Sequence, residues 1–287
     1  SRGLGDVYKR QTYGSTQRSG SGRALGRSGA QAGPAQFEAI WGMPAPVGAY
    51  ALAATRHMHE FGTTREQLAE VAVATRKWAT LNPKAFMRDP IGIEDVLSSR
   101  PIAEPLHLLD CCLVTDGGGA VVIVSAERAR DLPEPPVWLL GHGEAHTHLT
   151  IANMPDLTLS PAAYSGRRAF EMAGLGPAEM DVAELYDSFT ITVLLTLEAL
   201  GFCGRGESGD FVSGQRTAPG GEFPLNTNGG GLSYCHPGMY GIFTLIEATR
   251  QLRGECGERQ VANARLAVAN GTGGVLSSGA TVVLGRE

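Results

Sequence analysis

From Gly117 to the C-terminus the apolar pattern switches repeatedly between the period of a strand and that of a helix, which restricts the chain to an α/β architecture. The stretch HLLDCCLVTDGGGAVVIVSAERARDL predicts a turn over 116–119, a buried strand over 120–125 and a helix from Ala126. After a proline break, PPVWLLGHGEA reads as another strand. A helix is expected over 160–176, then a short strand in MDVAELYD feeding a long helix over 189–200. The loop NTNGGGLSYCHPG, an amphipathic helix over 240–253, a strand in ARLAVANG, a TGG turn and a final strand in GATVVLG complete the series.

The preceding residues have a different character. Between Pro46 and Trp78 apolar side chains fall at helical spacing and predict two helices, the first closed by Gly62. Thr63 and Glu66 have the T-x-x-E spacing of a capping box at the start of the second. NPKAFMRDP is a connector, IEDVLSS a short helical pattern, and LPEPP near 132–136 a stiff boundary. The opening SRGLGDVYKRQ has no apolar periodicity, so residues 1–11 are set aside as a non-native leader, and SGSGRALGRSGAQAGPAQ reads as an exposed loop.

Composition removes several classes of function. The 24 basic and 29 acidic residues, net charge -5, leave no basic footprint for nucleic acid. Five cysteines without C-x-x-C spacing fit a reducing compartment, and the cytoplasm is the expected location. The most apolar stretch, FTITVLLTLEALGF, is broken by Glu198 and too short for a bilayer, so no membrane association is expected.

The densest cluster of unusual residues is NTNGGGLSYCHPGMYG. Gly229, Gly230 and Gly231 permit positive φ and close approach to a ligand. His236 stands before Pro237 and Gly238, near the predicted start of a helix, where an imidazole and the helix dipole can both favour a developing oxyanion. A loop histidine bonded only to backbone is the other reading of the same residue.

This segment resembles the N-x-x-G-G…G-H-P…G motif of the thiolase superfamily. AELYDSFTITVLLTLEALGFC is similar to the H-D-C-F segment of the thiolases linked to sterol carrier protein, and RQLRGECGERQV and ANGTGGVLSSGATVVLG match that branch in order. The resemblance runs from Tyr13 to the end. It implies a five-layered α/β/α/β/α fold of two similar halves, truncated at its N-terminal side, with a helical loop domain over the face that binds coenzyme A. Residues 12–23 would close part of the first half, 24–109 form the loop domain, 110–135 return to the first half and 136–287 form the second.

The resemblance also sets the expected chemistry: an acyl-CoA-processing enzyme, an acyltransferase or a carbon–carbon lyase acting next to a thioester in lipid or steroid side-chain metabolism. Coenzyme A would be a dissociable co-substrate. The family's nucleophilic cysteine belongs to a segment before this chain's first residues. Its second cysteine is replaced at both usual places: Gly271-Thr272-Gly273 stands for C-x-G, and Tyr186-Asp187-Ser188-Phe189 for H-D-C-F. A serine hydroxyl is a far weaker base than a thiolate. Thiolase-like retro-aldolases use tyrosines instead, one of them at the position of Tyr186 and the second where this chain has His236. The expected catalytic set is therefore His236 polarising the thioester oxygen, Tyr186 moving a proton and Gly273 lending a backbone N–H, with Ser188 at the lost cysteine's place. Cys235 is either a migrated acid/base or a packing thiol.

The remaining cysteines and histidines read differently. Cys111, Cys112, Cys203 and Cys256 are expected to be packing thiols. His142, His146 and His148, in H-G-E-A-H-T-H, and the i, i+2 pair His57 and His59 are not read as metal ligands; His57 is expected to face the acyl-CoA channel. A homodimer and a partner with an OB-fold and zinc ribbon are implied by the family. The rival classes are a subunit active only with that partner and a non-catalytic acyl-CoA or lipid carrier.

Overall fold

The computed structural model describes residues 7–14, 38, 41–43 and 46–286, the first of these stretches by its backbone alone. Strand β1 (Val7–Gly14) is followed by helices α1 (Val47–Phe61), α2 (Arg65–Thr80) and α3 (Ile93–Ser98) and by two short strands, β2 (Pro101–Ala103) and β3 (Leu106–His107). Then come β4 (Gly117–Val124), α4 (Ala126–Ala129), β5 (Trp138–His146), α5 (Ala162–Ala173), β6 (Val182–Leu185), α6 (Thr190–Leu200) and α7 (Ser208–Val212). A single π-helical turn at Gly230–Tyr234 precedes α8 (Gly241–Arg253), β7 (Leu266–Gly273) and β8 (Ser278–Gly285).

A four-stranded sheet in the order β5-β8-β7-β6 carries the second half of the chain, with β6 and β7 parallel and the other neighbours antiparallel. Helix α5 packs on β5 and β8 and against α6, while α8 packs on β6 and β7 and, on its far side, on β4. Four of the five layers implied by the sequence are thus present among the described residues. α6 is the central helix: every residue but Ala199 is buried, because α1, α2 and α5 surround it. A helix buried on nearly every face must be covered all round, and Leu194, Leu195 and Leu197 join Leu68, Leu185 and Val283 in one core. Among the described residues no helix is long and apolar enough to cross a membrane.

Several boundaries move, each for a physical reason. Residues 117–119, expected in a turn, belong to β4, because their missing side chains make room for α8: a Cβ on Gly119 would lie 2.6 Å from the Ile246 side chain. β4 pairs antiparallel with β1, from Val7 opposite Val124 to Gly14 opposite Gly117, so residues 7–11 lie in a ladder rather than outside the fold. Main-chain pairing needs no side-chain pattern, which is why periodicity did not find it. The capping box is one residue later than expected: Thr64 caps α2 and exchanges bonds with Gln67, while Gly62 closes α1 in the left-handed conformation. The expected TGG turn is also displaced, since Thr272 and Gly273 still pair with Gly279 and Ser278.

Candidate active site

The site is assembled at the C-terminal end of the parallel pair β6 and β7, the edge at which open α/β sheets present their chemistry. Tyr186 follows β6 directly, and its N–H donates to the Asn270 carbonyl of β7 at 3.0 Å. Its ring is set by two edge contacts, to His236 at 5.4 Å between centroids and to Tyr240 at 5.5 Å. Tyr240 lies 6.3 Å from His236 in a stacked arrangement, and its hydroxyl donates to Asn228 Oδ1 at 2.8 Å. Three rings from two distant segments therefore meet.

Asp187 holds the glycine segment against β6. Its carboxylate accepts from Gly231 N at 2.6 Å and Leu232 N at 3.1 Å. Gly230 has φ +62°, and a Cβ there would lie 2.0 Å from Asp187 Oδ2; Gly229, at φ +101°, would meet Ala79 of α2 at 2.7 Å. A Cβ on Gly231 would approach His236 Cδ2 to 3.0 Å. The close approach these glycines permit is to Ala79, Asp187 and His236 of the protein itself. Asn228 Oδ1 also accepts from Gly230 N at 2.7 Å, so the turn is tied at both ends.

Electrostatics follow from burial. Asp187 is fully buried, and desolvation pushes its carboxyl up to about 7 against the pull of the two backbone donors. Burial holds His236 down to about 4, so the imidazole is neutral at pH 7, and its Nε2 is buried with no hydrogen-bond partner among the described residues. The Tyr186 phenol is raised, chiefly by burial, and keeps its proton. All five thiols are raised as well, Cys235 to about 12, so none is an activated thiolate.

The other residues expected at the site are placed elsewhere or engaged otherwise. The Ser188 hydroxyl lies 3.0 Å from Thr192 Oγ1 on α6 and contacts Tyr50 on α1. Cys235 packs with Tyr186, Phe243 and Tyr240. Gly273 ends β7, its carbonyl accepting from Ser277 N at 3.2 Å; it is Gly271 that approaches Gly241, whose own Cβ position is 4.0 Å from the Tyr186 ring. His57 is fully buried with both ring nitrogens engaged, Nδ1 with Thr63 Oγ1 at 2.7 Å and Nε2 with Glu198 Oε1 at 2.9 Å. It ties α1 to α6 and has no free nitrogen to offer a ligand, so its expected place in the acyl-CoA channel is not kept.

Sequence reasoning missed Asp187 and Asn228 as builders of the site. The signal for Asp187 was a lone carboxylate between two apolar segments, a group that burial leaves costly unless the fold supplies donors. Among the described residues no group of three or more His, Cys, Asp or Glu side chains is arranged to hold a metal ion.

Residues 143–286 match the family described as Thiolase C-terminal domain-like. The chain is 41% identical over 290 residues to a steroid side-chain-cleaving aldolase of Thermomonospora curvata, covering 94% of this chain and 71% of that protein. It is 33% identical over 244 residues to sterol carrier protein 2 of Rattus norvegicus, covering 82% of this chain and 44% of that protein. A solved structure titled Ltp2-ChsH2(DUF35) aldolase superposes with a TM-score of 0.85 at 36% identity, over 98% of this chain and 72% of that one. The chain belongs to the thiolase superfamily, in its sterol-carrier-protein thiolase-like branch. It is accordingly a thiolase-like enzyme of acyl-CoA processing.

Proposed function

We propose that the chain is the catalytic subunit of a retro-aldolase that cleaves the carbon–carbon bond next to a coenzyme A thioester, on a steroid-like side chain bearing a β-hydroxyl. The observation that carries this reading is the edge contact of Tyr186 with a neutral His236 whose Nε2 has no partner among the described residues, in a chain whose cysteines are all raised by burial. Aldol cleavage needs an acid/base and a hydrogen-bond donor, and no thiolate.

In this scheme the β-hydroxyl loses its proton as the bond between the α- and β-carbons breaks, and the β-carbon becomes a ketone. The electron pair passes to the thioester as an enolate, which takes a proton at its α-carbon to leave a shortened acyl-CoA. Proton lost and proton gained balance, and no oxidant enters. A neutral imidazole N–H on the thioester oxygen stabilises the enolate without first surrendering a charge. The phenol of Tyr186 takes the hydroxyl proton as it hands its own to the α-carbon, a single exchange that leaves it protonated before and after. Coenzyme A is then the handle carried by substrate and product.

The partner subunit, with an OB-fold and zinc ribbon, belongs to the same proposal; its support is the two-component title of the superposed aldolase. A cytoplasmic homodimer is proposed with it. The five free cysteines support a reducing compartment, and the dimer rests on the family resemblance. In the full-length protein with its partner, Tyr186→Phe and His236→Ala are each expected to lower retro-aldol turnover by about 10²–10⁴-fold. Unchanged turnover in both variants overturns the assignment.

A further inference from the structure

The segment from Cys111 to Thr115 runs between the two halves of the site. Cys112 N donates to the Ser188 carbonyl at 3.0 Å, beside Tyr186 and Asp187, and Leu113 N donates to the Gly231 carbonyl at 2.9 Å, in the glycine turn. Thr115 then takes both main-chain groups of His236. Its Oγ1 accepts from His236 N at 2.8 Å, and its own N–H donates to the His236 carbonyl at 3.3 Å. Thr115 is 4% exposed, so both bonds lie largely out of reach of solvent. Just beyond it, a Cβ on Gly117 would lie 3.3 Å from Pro237 and from Phe243, so the strap continues directly into the packing of β4 on α8.

The arrangement answers a mechanical question. His236 stands between a π-helical turn and a proline; its Nε2 has no partner among the described residues, and its imidazole is hydrogen-bonded to its own main chain. Its ring direction is therefore set by where its backbone is held and by the faces of Tyr186 and Tyr240. Of these, only the backbone hold comes from outside the two motifs. We propose that Thr115 is a positioning residue for His236, its hydroxyl clamping the His236 backbone so that the imidazole meets Tyr186 at the reacting thioester. This rests on the reading of His236 given above.

The test is steady-state cleavage of a β-hydroxyacyl-CoA by the full-length protein with its partner, in Thr115→Val, Thr115→Ser, His236→Ala and the Thr115→Val/His236→Ala double variant. Valine keeps the shape and removes the acceptor. Thr115→Val is expected to lower kcat by about 10–100-fold with KM within about twofold, as small misplacements of a reacting group do. Thr115→Ser should recover most of that loss, and Thr115→Val should cost nothing further once His236 is alanine. The clamp is overturned by an unchanged kcat in Thr115→Val, by equal losses in valine and serine, or by an undiminished loss in the double variant. If His236→Ala alone leaves turnover unchanged, the assignment of His236 fails first; if His236→Ala is inactive and Thr115→Val is not, the clamp alone fails. Should Thr115→Val not fold, Thr115→Ala replaces it under the same criteria.

Discussion

The layer around α6 and the ring cluster around Tyr186 both adjoin β6, and they are held by different forces. Around α6, Leu194, Leu195 and Leu197 pack among apolar neighbours from α1, α2 and the sheet, a non-directional contact that tolerates repacking. Around Tyr186 the chain is held by directed bonds. Asp187 grips the glycine turn, Asn228 ties Gly230 to Tyr240, and Thr227 lies within 2.8 Å of Glu184 Oε1 and 3.0 Å of Glu247 Oε1, with Glu247 paired to Arg259. Buried polar groups of this kind specify one geometry and are costly when half-satisfied. The apolar layer supplies stability, and the polar one supplies position.

The sharpest way to break that comparison is to damage the apolar side alone. Leu194→Ala, in the fully buried face of α6, is expected to cost about 2–5 kcal/mol of stability while the folded fraction keeps its kcat. Denaturant unfolding and single-turnover rates on the same sample check both halves of the statement. A kcat loss in step with stability would merge the two regions into one.

A smaller effect sharpens the electrostatic side. Asp187 is raised from 3.8 to about 7, so between those values the folded chain holds a proton the unfolded chain has released, and stability falls as pH rises. His236 is lowered from 6.5 to about 4, so in that range the unfolded chain takes a proton the folded one refuses, and stability rises with pH. The two contributions oppose each other over much of the acid range. Relative to the parent, Asp187→Asn should gain stability more steeply, and His236→Gln lose it, as pH is raised from about 4 to 6.5. Parallel curves of melting temperature against pH for all three proteins would contradict this.

The smallest effect belongs to Cys235. With a thiol pushed up to about 12 and packed beside Phe243, it should react slowly with iodoacetamide at pH 7, and Cys235→Ala should keep kcat within about threefold of the parent. Rapid alkylation with loss of turnover would return it to the chemistry.

The apolar layer was readable from the sequence because its signals are local. Strand β6 and helices α5, α6 and α8 lie within three residues of the periodic segments that predicted them. Where a glycine faces another element the same reading failed: Gly117 and Gly119 look like a turn until α8 is placed against them. The polar region was legible only in part. Tyr186 and His236 could be paired through a family motif, but the partners that seat them are remote in the chain, as Thr115 is from His236. His57 shows the same limit, since its place was decided by Glu198, far along the chain, and not by the helix it sits on.

The central claim is that this chain breaks a carbon–carbon bond by proton transfer between Tyr186 and a hydrogen-bonded thioester, without a thiolate. The most direct test is mass spectrometry of the products formed from a β-hydroxy steroid acyl-CoA by the full-length protein and its partner, with and without added free coenzyme A. The account predicts a ketone and a shortened acyl-CoA in equal amounts with no coenzyme A added, and the loss of both products in Tyr186→Phe. Cleavage that requires free coenzyme A and survives Tyr186→Phe would contradict it.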